Sequence, residues 1–240
     1  MAIEKNYLQL EFGSGQFFDY SKDEKEGYVK HTSSKGNISY RKYSKDGVSG
    51  VLESVSIYEG KFGNQISLNI KDGDNVYYVP VDVADKKGNV DTYAESLIKV
   101  LPKLNKGDKI TISGYNFTPE GDKYSKIGIS VKVNGEKVKG LTNAYTDKEG
   151  KSVEGDIPGL TWKKDALGKN KPTAVTLEAK NDYLLGALKA ETDRLKWVQG
   201  EATTTTQAPT KAEVPKATPT EAFEPATNVK EDDYQDLPFA

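Results

Sequence analysis

Apolar and polar residues alternate strictly in SKIGISVKVNGEKV, where Ile127, Ile129, Val131 and Val133 oppose Lys126, Ser130 and Lys132. A two-residue period puts one set on each side of the chain, the mark of a half-buried strand. GNQISLNIKDG behaves the same way: Ile66, Leu68 and Ile70 fall on one face, and Gln65, Ser67, Asn69 and Lys71 on the other. GVSGVLESVSIYEG and NVYYVPVDV are further β-rich runs, and DKITISGYNF sets Ile110 and Ile112 on one side. Gly and Asp punctuate these runs, which is the chemistry of turns.

One stretch follows a different period. In NVDTYAESLIKVLPKLNKGD, Ala94, Leu97, Ile98 and Leu101 recur at helical spacing. Thr92 followed by Glu95 fits a capping box, and Pro102 discourages continuation. The order is then three strands, one helix and two strands. That is the plan of a mainly β fold, a five-stranded OB-fold barrel with a helix between strands 3 and 4 that closes one end. Upstream, FFDYSKDEKEGYVKH and GNISYRKYSKD read as extra N-terminal strands or a hairpin. Downstream, NDYLLGALKAETDRLKWVQG sets Leu184, Leu188 and Leu195 on one face of a C-terminal helix, with Gly200 as its stop. The segment between, TDKEGKSVEGDIPGLTWKKDALGKNKP, reads as loops.

Composition divides the chain at Gly200. Residues 200–229 are rich in Thr, Ala and Pro, with almost nothing to bury, so they are expected to remain a disordered linker. Residues 230–240, KEDDYQDLPFA, form an acidic tip, and residues 1–199 form the folded body. Of the 34 basic and 36 acidic residues, three and eight lie in 201–240, leaving that segment at −5 and residues 1–200 at +3. An acidic tail on a mildly basic body can compete with any anion the body binds. Cys is absent and His31 is the single His, so neither a disulfide framework nor a thiolate or His-rich metal site is available. No apolar run approaches a bilayer span, and MAIEKNYLQLEF has neither an apolar leader core nor a small-residue cleavage site. The expectation is a cytoplasmic protein without signal peptide, membrane span, metal or cofactor.

Catalytic motifs are missing. DALGKNKP contains Gly-Lys but lacks the earlier Gly and the Ser or Thr of a phosphate-binding loop, and KDGDN lacks the distal Glu of a calcium loop. The acids scatter over turns, so an enzyme is not expected. Binding residues are more plentiful. An OB barrel offers a groove in which bases stack on aromatic rings and phosphates meet Lys and Arg. Here SYRKYSK supplies Tyr40, Arg41, Lys42 and Tyr43, and IYEGKFGN supplies Tyr58, Lys61 and Phe62. Lys71 and Tyr78 join them from the next two runs, and GYNFTPEGDKYSK supplies Tyr115, Phe117, Lys123, Tyr124 and Lys126. The preference of Tyr for strands accounts for any single one of them. The clustering of rings and Lys in two loops favours stacking. Trp197 reads as packing, and Trp162, followed by two Lys, fits packing and stacking alike.

The tip carries a resemblance. Asp232, Asp233, Asp236, Leu237, Pro238 and Phe239 resemble the C-terminal peptide of bacterial and phage single-stranded DNA-binding proteins. The linker and the OB-like body resemble that family's plan as well. The resemblance implies a non-catalytic protein that coats and protects single-stranded DNA in phage replication, recombination and repair, inside a bacterial host. It also implies that the tip docks replication and recombination partners, with Phe239 in an apolar pocket and the acids on a basic rim. Two features differ from the pattern: Ala240 follows Phe239, and the body is longer than the usual bacterial form. Two other classes fit the same residues, a structural or virion-associated β protein with a docking tail and an OB-fold RNA-binding protein. Salt dependence separates the first from a DNA binder, and DNA–RNA competition separates the second.

Overall fold

A computed structural model describes residues 4–60, 63–146 and 151–196. The linker, the tip, Gly200 and Trp197 lie outside the described residues, as do Lys61 and Phe62. Seven strands precede the first helix: β1 (Glu4–Leu10), β2 (Phe17–Ser21), β3 (Val29–Thr32), β4 (Ile38–Tyr43), β5 (Val48–Gly60), β6 (Gly63–Asp72) and β7 (Asn75–Asp82). Helix α1 (Thr92–Val100) runs into a 3-10 turn at Leu101–Lys103, and β8 (Lys109–Phe117), β9 (Lys126–Val133) and β10 (Glu136–Lys137) follow. Two small hairpins, β11 (Tyr145–Thr146) with β12 (Ser152–Val153) and β13 (Trp162–Lys164) with β14 (Asn170–Pro172), lead to helix α2 (Ala174–Leu195).

The fold is mainly β, and the alternating runs become the strands they predict. Ten strands form one mixed sheet in the order β10-β9-β8-β5-β6-β7-β1-β2-β4-β3. Every neighbouring pair is antiparallel except β1 and β7, which run parallel with Tyr7 beside Tyr78. Local turn chemistry sets several of the registers. Asn134 and Gly135, both at positive φ, make the two-residue turn between β9 and β10, whose twist matches the flanking strands.

The five strands β5 to β9 carry α1 between the third and fourth, as the pattern predicts, but the sheet does not close into a barrel. Closure would bring β9 back beside β7. That edge of β7 is occupied by β1, from a segment outside the strands expected from the sequence. The connection between β1 and β2 then packs against α1 and β8. The Phe12 carbonyl accepts hydrogen bonds from the Tyr93 hydroxyl and the Asn116 amide, each at 2.9 Å. Two glycines permit the approach: a Cβ on Gly114 would strike the Gly15 carbonyl, and one on Gly15, at φ 73°, would strike the Tyr115 backbone.

The core lies between one face of the sheet and the two helices. Leu68, Ile70, Val79, Ile110 and Ile112 are buried there with Leu97, Ile98 and Leu101 from α1 and Leu184, Leu188 and Leu195 from α2. The α2 stripe is thus the one the sequence predicts, although the helix begins at Ala174, earlier than its apolar pattern. The α1 cap differs too. Asp91, not Thr92, is the N-cap, and its side chain accepts from the Tyr93 N–H at 2.8 Å. Glu95 instead ties the two helices together, receiving Lys99 and, at 2.7 Å, Lys180.

Candidate nucleic-acid interface

Since side chains alternate across a strand, the residues between the core positions share the opposite, outer face of the sheet. Strand registers align them in rows. One row runs Lys5, Val76, Lys71, Val51, Lys109 across β1, β7, β6, β5 and β8. The next runs Tyr7, Tyr78, Asn69, Ser54 across β1, β7, β6 and β5. Beyond it come Pro80, Ser67 and Ser56, then Asp82, Gln65 and Tyr58. With strands about 4.8 Å apart, the lysines of the first row stand roughly 10 Å from one another, and successive rows lie about 7 Å apart.

The second row holds an aromatic pair. The Tyr7 and Tyr78 rings stack with centroids 4.6 Å apart and planes within 10° of parallel. Tyr7 is the outer ring and 63% exposed. Beside them Asn69 donates to the Ser54 hydroxyl at 2.7 Å. The register shift between Leu52 and Ser54 accommodates Glu53 as an extra residue, and Glu53 faces Lys71 at 3.9 Å. In the last row Gln65 donates to Asp82 at 2.7 Å, while burial pushes the Asp82 carboxyl above the usual carboxylate range. Tyr58 stands exposed at the end of β5, just before Lys61 and Phe62.

The hairpin between β8 and β9 borders the face from the opposite strand ends, because β8 runs antiparallel to β5. Tyr115 and Phe117 pack at 6.0 Å there, with Phe117 exposed. Tyr124 stands exposed with the Lys123 ammonium 5.6 Å from its ring centre, and Lys126 pairs with Asp122 at 3.3 Å.

The predicted residues on β4 are placed differently. Arg41 donates to Glu11 at 2.8 Å, lies over the Phe18 ring at 4.5 Å and keeps only 12% of its side chain exposed. The Tyr43 hydroxyl donates to the same Glu11 oxygen at 2.9 Å, and burial raises its pKa. Both side chains therefore serve the packing of β4 onto the β1–β2 connection. Tyr40 is half-buried and Lys42 exposed, and both sit beyond β2 from the aromatic pair on β1 and β7.

The sheet thus gathers Tyr58, Lys71 and Tyr78 on one face and adds Tyr7, Lys5 and Lys109, which the sequence reading missed. The signal for Lys5 and Tyr7 was present in EKNYLQLEF, where Leu8 and Leu10 alternate with Tyr7 and Gln9, and that for Lys109 in DKITISGYNF, where it alternates with Ile110 and Ile112. The tip residues Asp232 to Phe239 lie outside the described residues. Among the described residues no cluster of three His, Asp or Glu stands ready for a metal, and no helix is long and apolar enough to cross a membrane. Comparison with protein-family models, curated proteins and solved structures gives no match.

Proposed function

We propose that this chain is a non-catalytic single-stranded DNA-binding protein whose outer sheet face is the binding surface. The observation that carries the reading is the pair of adjacent rows, one with three lysines and one with a stacked Tyr pair whose outer ring, Tyr7, is exposed. A base stacks on Tyr7 while phosphates of the same strand meet Lys5, Lys71 and Lys109 in the adjacent row, and Tyr58, two rows beyond Tyr7, offers a second ring farther along the face, a division of labour that tolerates any sequence. A ring with a polar tip, as on Tyr7 and Tyr58, suits a surface that is wet in the free protein and stacked in the complex.

The strand order β9-β8-β5-β6-β7, with α1 between β7 and β8, supports an OB-like body laid open by β1. The Thr/Ala/Pro-rich residues 200–229 serve as a tether. Asp232, Asp233, Asp236 and Leu237-Pro238-Phe239 dock a replication or recombination protein during phage DNA metabolism.

A titration of 5′-labelled oligo-dT, followed by anisotropy at low and moderate salt, tests the reading. Tight binding that weakens with salt, with duplex DNA and RNA of equal length bound more weakly, is the expected result. Equal binding of RNA moves the assignment to an RNA-binding protein. No binding at either salt removes nucleic acid and leaves a structural β protein.

A further inference from the structure

The β13–β14 hairpin stands outside the ten-stranded sheet as a two-stranded unit of its own. Residues 161–173 carry Lys163, Lys164, Lys169 and Lys171 against a single acid, Asp165. Trp162, paired across the hairpin with Pro172, is 57% exposed. No residue of the arm belongs to the buried core, and beyond its cross-strand neighbour Pro172 the indole keeps more than half of its surface open.

The arm is ordered by its own turn. Asp165 accepts the backbone N–H groups of Leu167 and Lys169 at 2.9 Å each and the Lys171 ammonium at 3.0 Å. Those bonds, the Lys169 N–H first, hold its carboxyl below the usual range. Asp165 thereby answers Lys171, and Lys163, Lys164 and Lys169 have no ion-pair partner among the described residues. Lys163 sits directly opposite Lys171 across the hairpin, so two ammonium groups share one face there with Asp165 as the single acid.

The base of the arm is fixed to the body. Thr173 N–H donates to the Thr161 carbonyl at 2.8 Å, and Thr161 N–H to the Thr176 hydroxyl at 3.1 Å. Further along α2, about 12 Å from Thr173 at the helical rise, Asn181 bonds Asn89 and the Val90 N–H in the loop after β7. The arm is therefore rooted at the start of α2, on the helix-covered side of the sheet, about 12 Å along the helix from its contact with the loop after β7.

We propose that this hairpin is a second contact for single-stranded DNA, with Trp162 stacking on an unpaired base beside Lys164 on the same face, and Lys163 from the other face and Lys169 from the turn meeting the flanking phosphates. The proposal rests on the reading of the outer face given above. An acidic peptide would satisfy the lysines but leave the indole unused. A duplex would offer phosphates without a free base face.

The test uses the full chain with Trp197→Phe, which leaves Trp162 as the sole tryptophan, titrated with labelled oligo-dT while anisotropy and tryptophan emission are read together. Rising anisotropy with quenching of Trp162 is expected. In the same background Lys163→Ala/Lys164→Ala/Lys169→Ala is expected to weaken binding about tenfold and to flatten the logarithmic salt slope by roughly 2, at about 0.7 per lost phosphate contact. Rising anisotropy with a silent Trp162 and an unchanged slope overturns the arm and leaves the outer face standing. Flat anisotropy overturns both. Equal quenching by polyglutamate overturns the arm as a reader of DNA. Should the triple variant melt, the quenching of Trp162 in the unsubstituted arm still decides.

Discussion

Replacing Tyr7 by Ala removes the outermost ring of the proposed surface and little else. The ring is 63% exposed, so the main intramolecular loss is its stack on Tyr78. Aromatic pairs of this kind contribute about 0.5–1.5 kcal/mol beyond area burial, a tolerable loss for a body with this much apolar core. Base–aromatic stacking contributes about 1–3 kcal/mol per base, which is roughly a 5- to 150-fold loss in affinity. Binding is therefore expected to fall by more than stability does. Anisotropy of 5′-labelled oligo-dT at one fixed salt concentration measures the first, and a urea melt measures the second. Tyr7→Phe keeps the ring and is expected to bind within about twofold of the parent, because stacking uses the π face and not the hydroxyl. If Tyr7→Ala retains the parent's affinity while remaining folded, the aromatic pair is not a stacking platform and the proposed surface loses its central residue.

Two further outcomes follow from the packing. Burial alone would raise the Glu95 carboxyl, but the bonds from Lys180 and Lys99 prevail and bring it below the usual range. An acid depressed in the fold contributes stability above its unfolded pKa of about 4.3 and loses it as pH falls through the folded value. Glu95→Gln is therefore expected to cost about 1–3 kcal/mol at neutral pH, with the deficit shrinking in urea melts under acid conditions; a deficit independent of pH would refute the pairing. Gly114→Ala sets a methyl against the Gly15 carbonyl and is expected to cost about 1–3 kcal/mol. Faster amide exchange across Glu11–Gln16 would locate the damage, and exchange at the parent's rate would contradict the contact.

The strands and the core face were legible because a buried face imposes a period the sequence cannot hide. Ile66, Leu68 and Ile70 are all fully buried, as their alternation predicts, and Leu97 and Ile98 follow from helical spacing. Even the extra residue in β5 left a trace, since the buried positions shift from Val48 and Leu52 to Val55. Periodicity names the face of a strand but not its neighbour. Nothing in GNQISLNIKDG or NVYYVPVDV says whether β7 will pair with β9 or with β1, and the parallel pair joins residues about seventy positions apart. Arg41 was misleading for the same reason: flanked by Tyr and Lys it looks ready for phosphate, while Glu11, thirty positions upstream, neutralises it. The β13–β14 hairpin gave no apolar alternation to read, because neither of its faces is buried.

The departure from the expected barrel and the composition of the candidate site have one cause. With β7 paired to β9, Tyr78 would keep its place on the outer face but would have no Tyr7 beside it, and the lysine row would begin at Lys71. Pairing with β1 denies the barrel its closure and brings Lys5 and Tyr7 into the two rows at once. The register matters as much as the pairing, because a slip by one residue would turn Leu8 outward and bury Tyr7. Leu8 prevents this slip, being buried in the core on the face opposite Tyr7. A residue that never meets the ligand thus sets the geometry of the ring proposed to meet it, through the alternation of Leu8 and Leu10 with Tyr7 and Gln9 along β1.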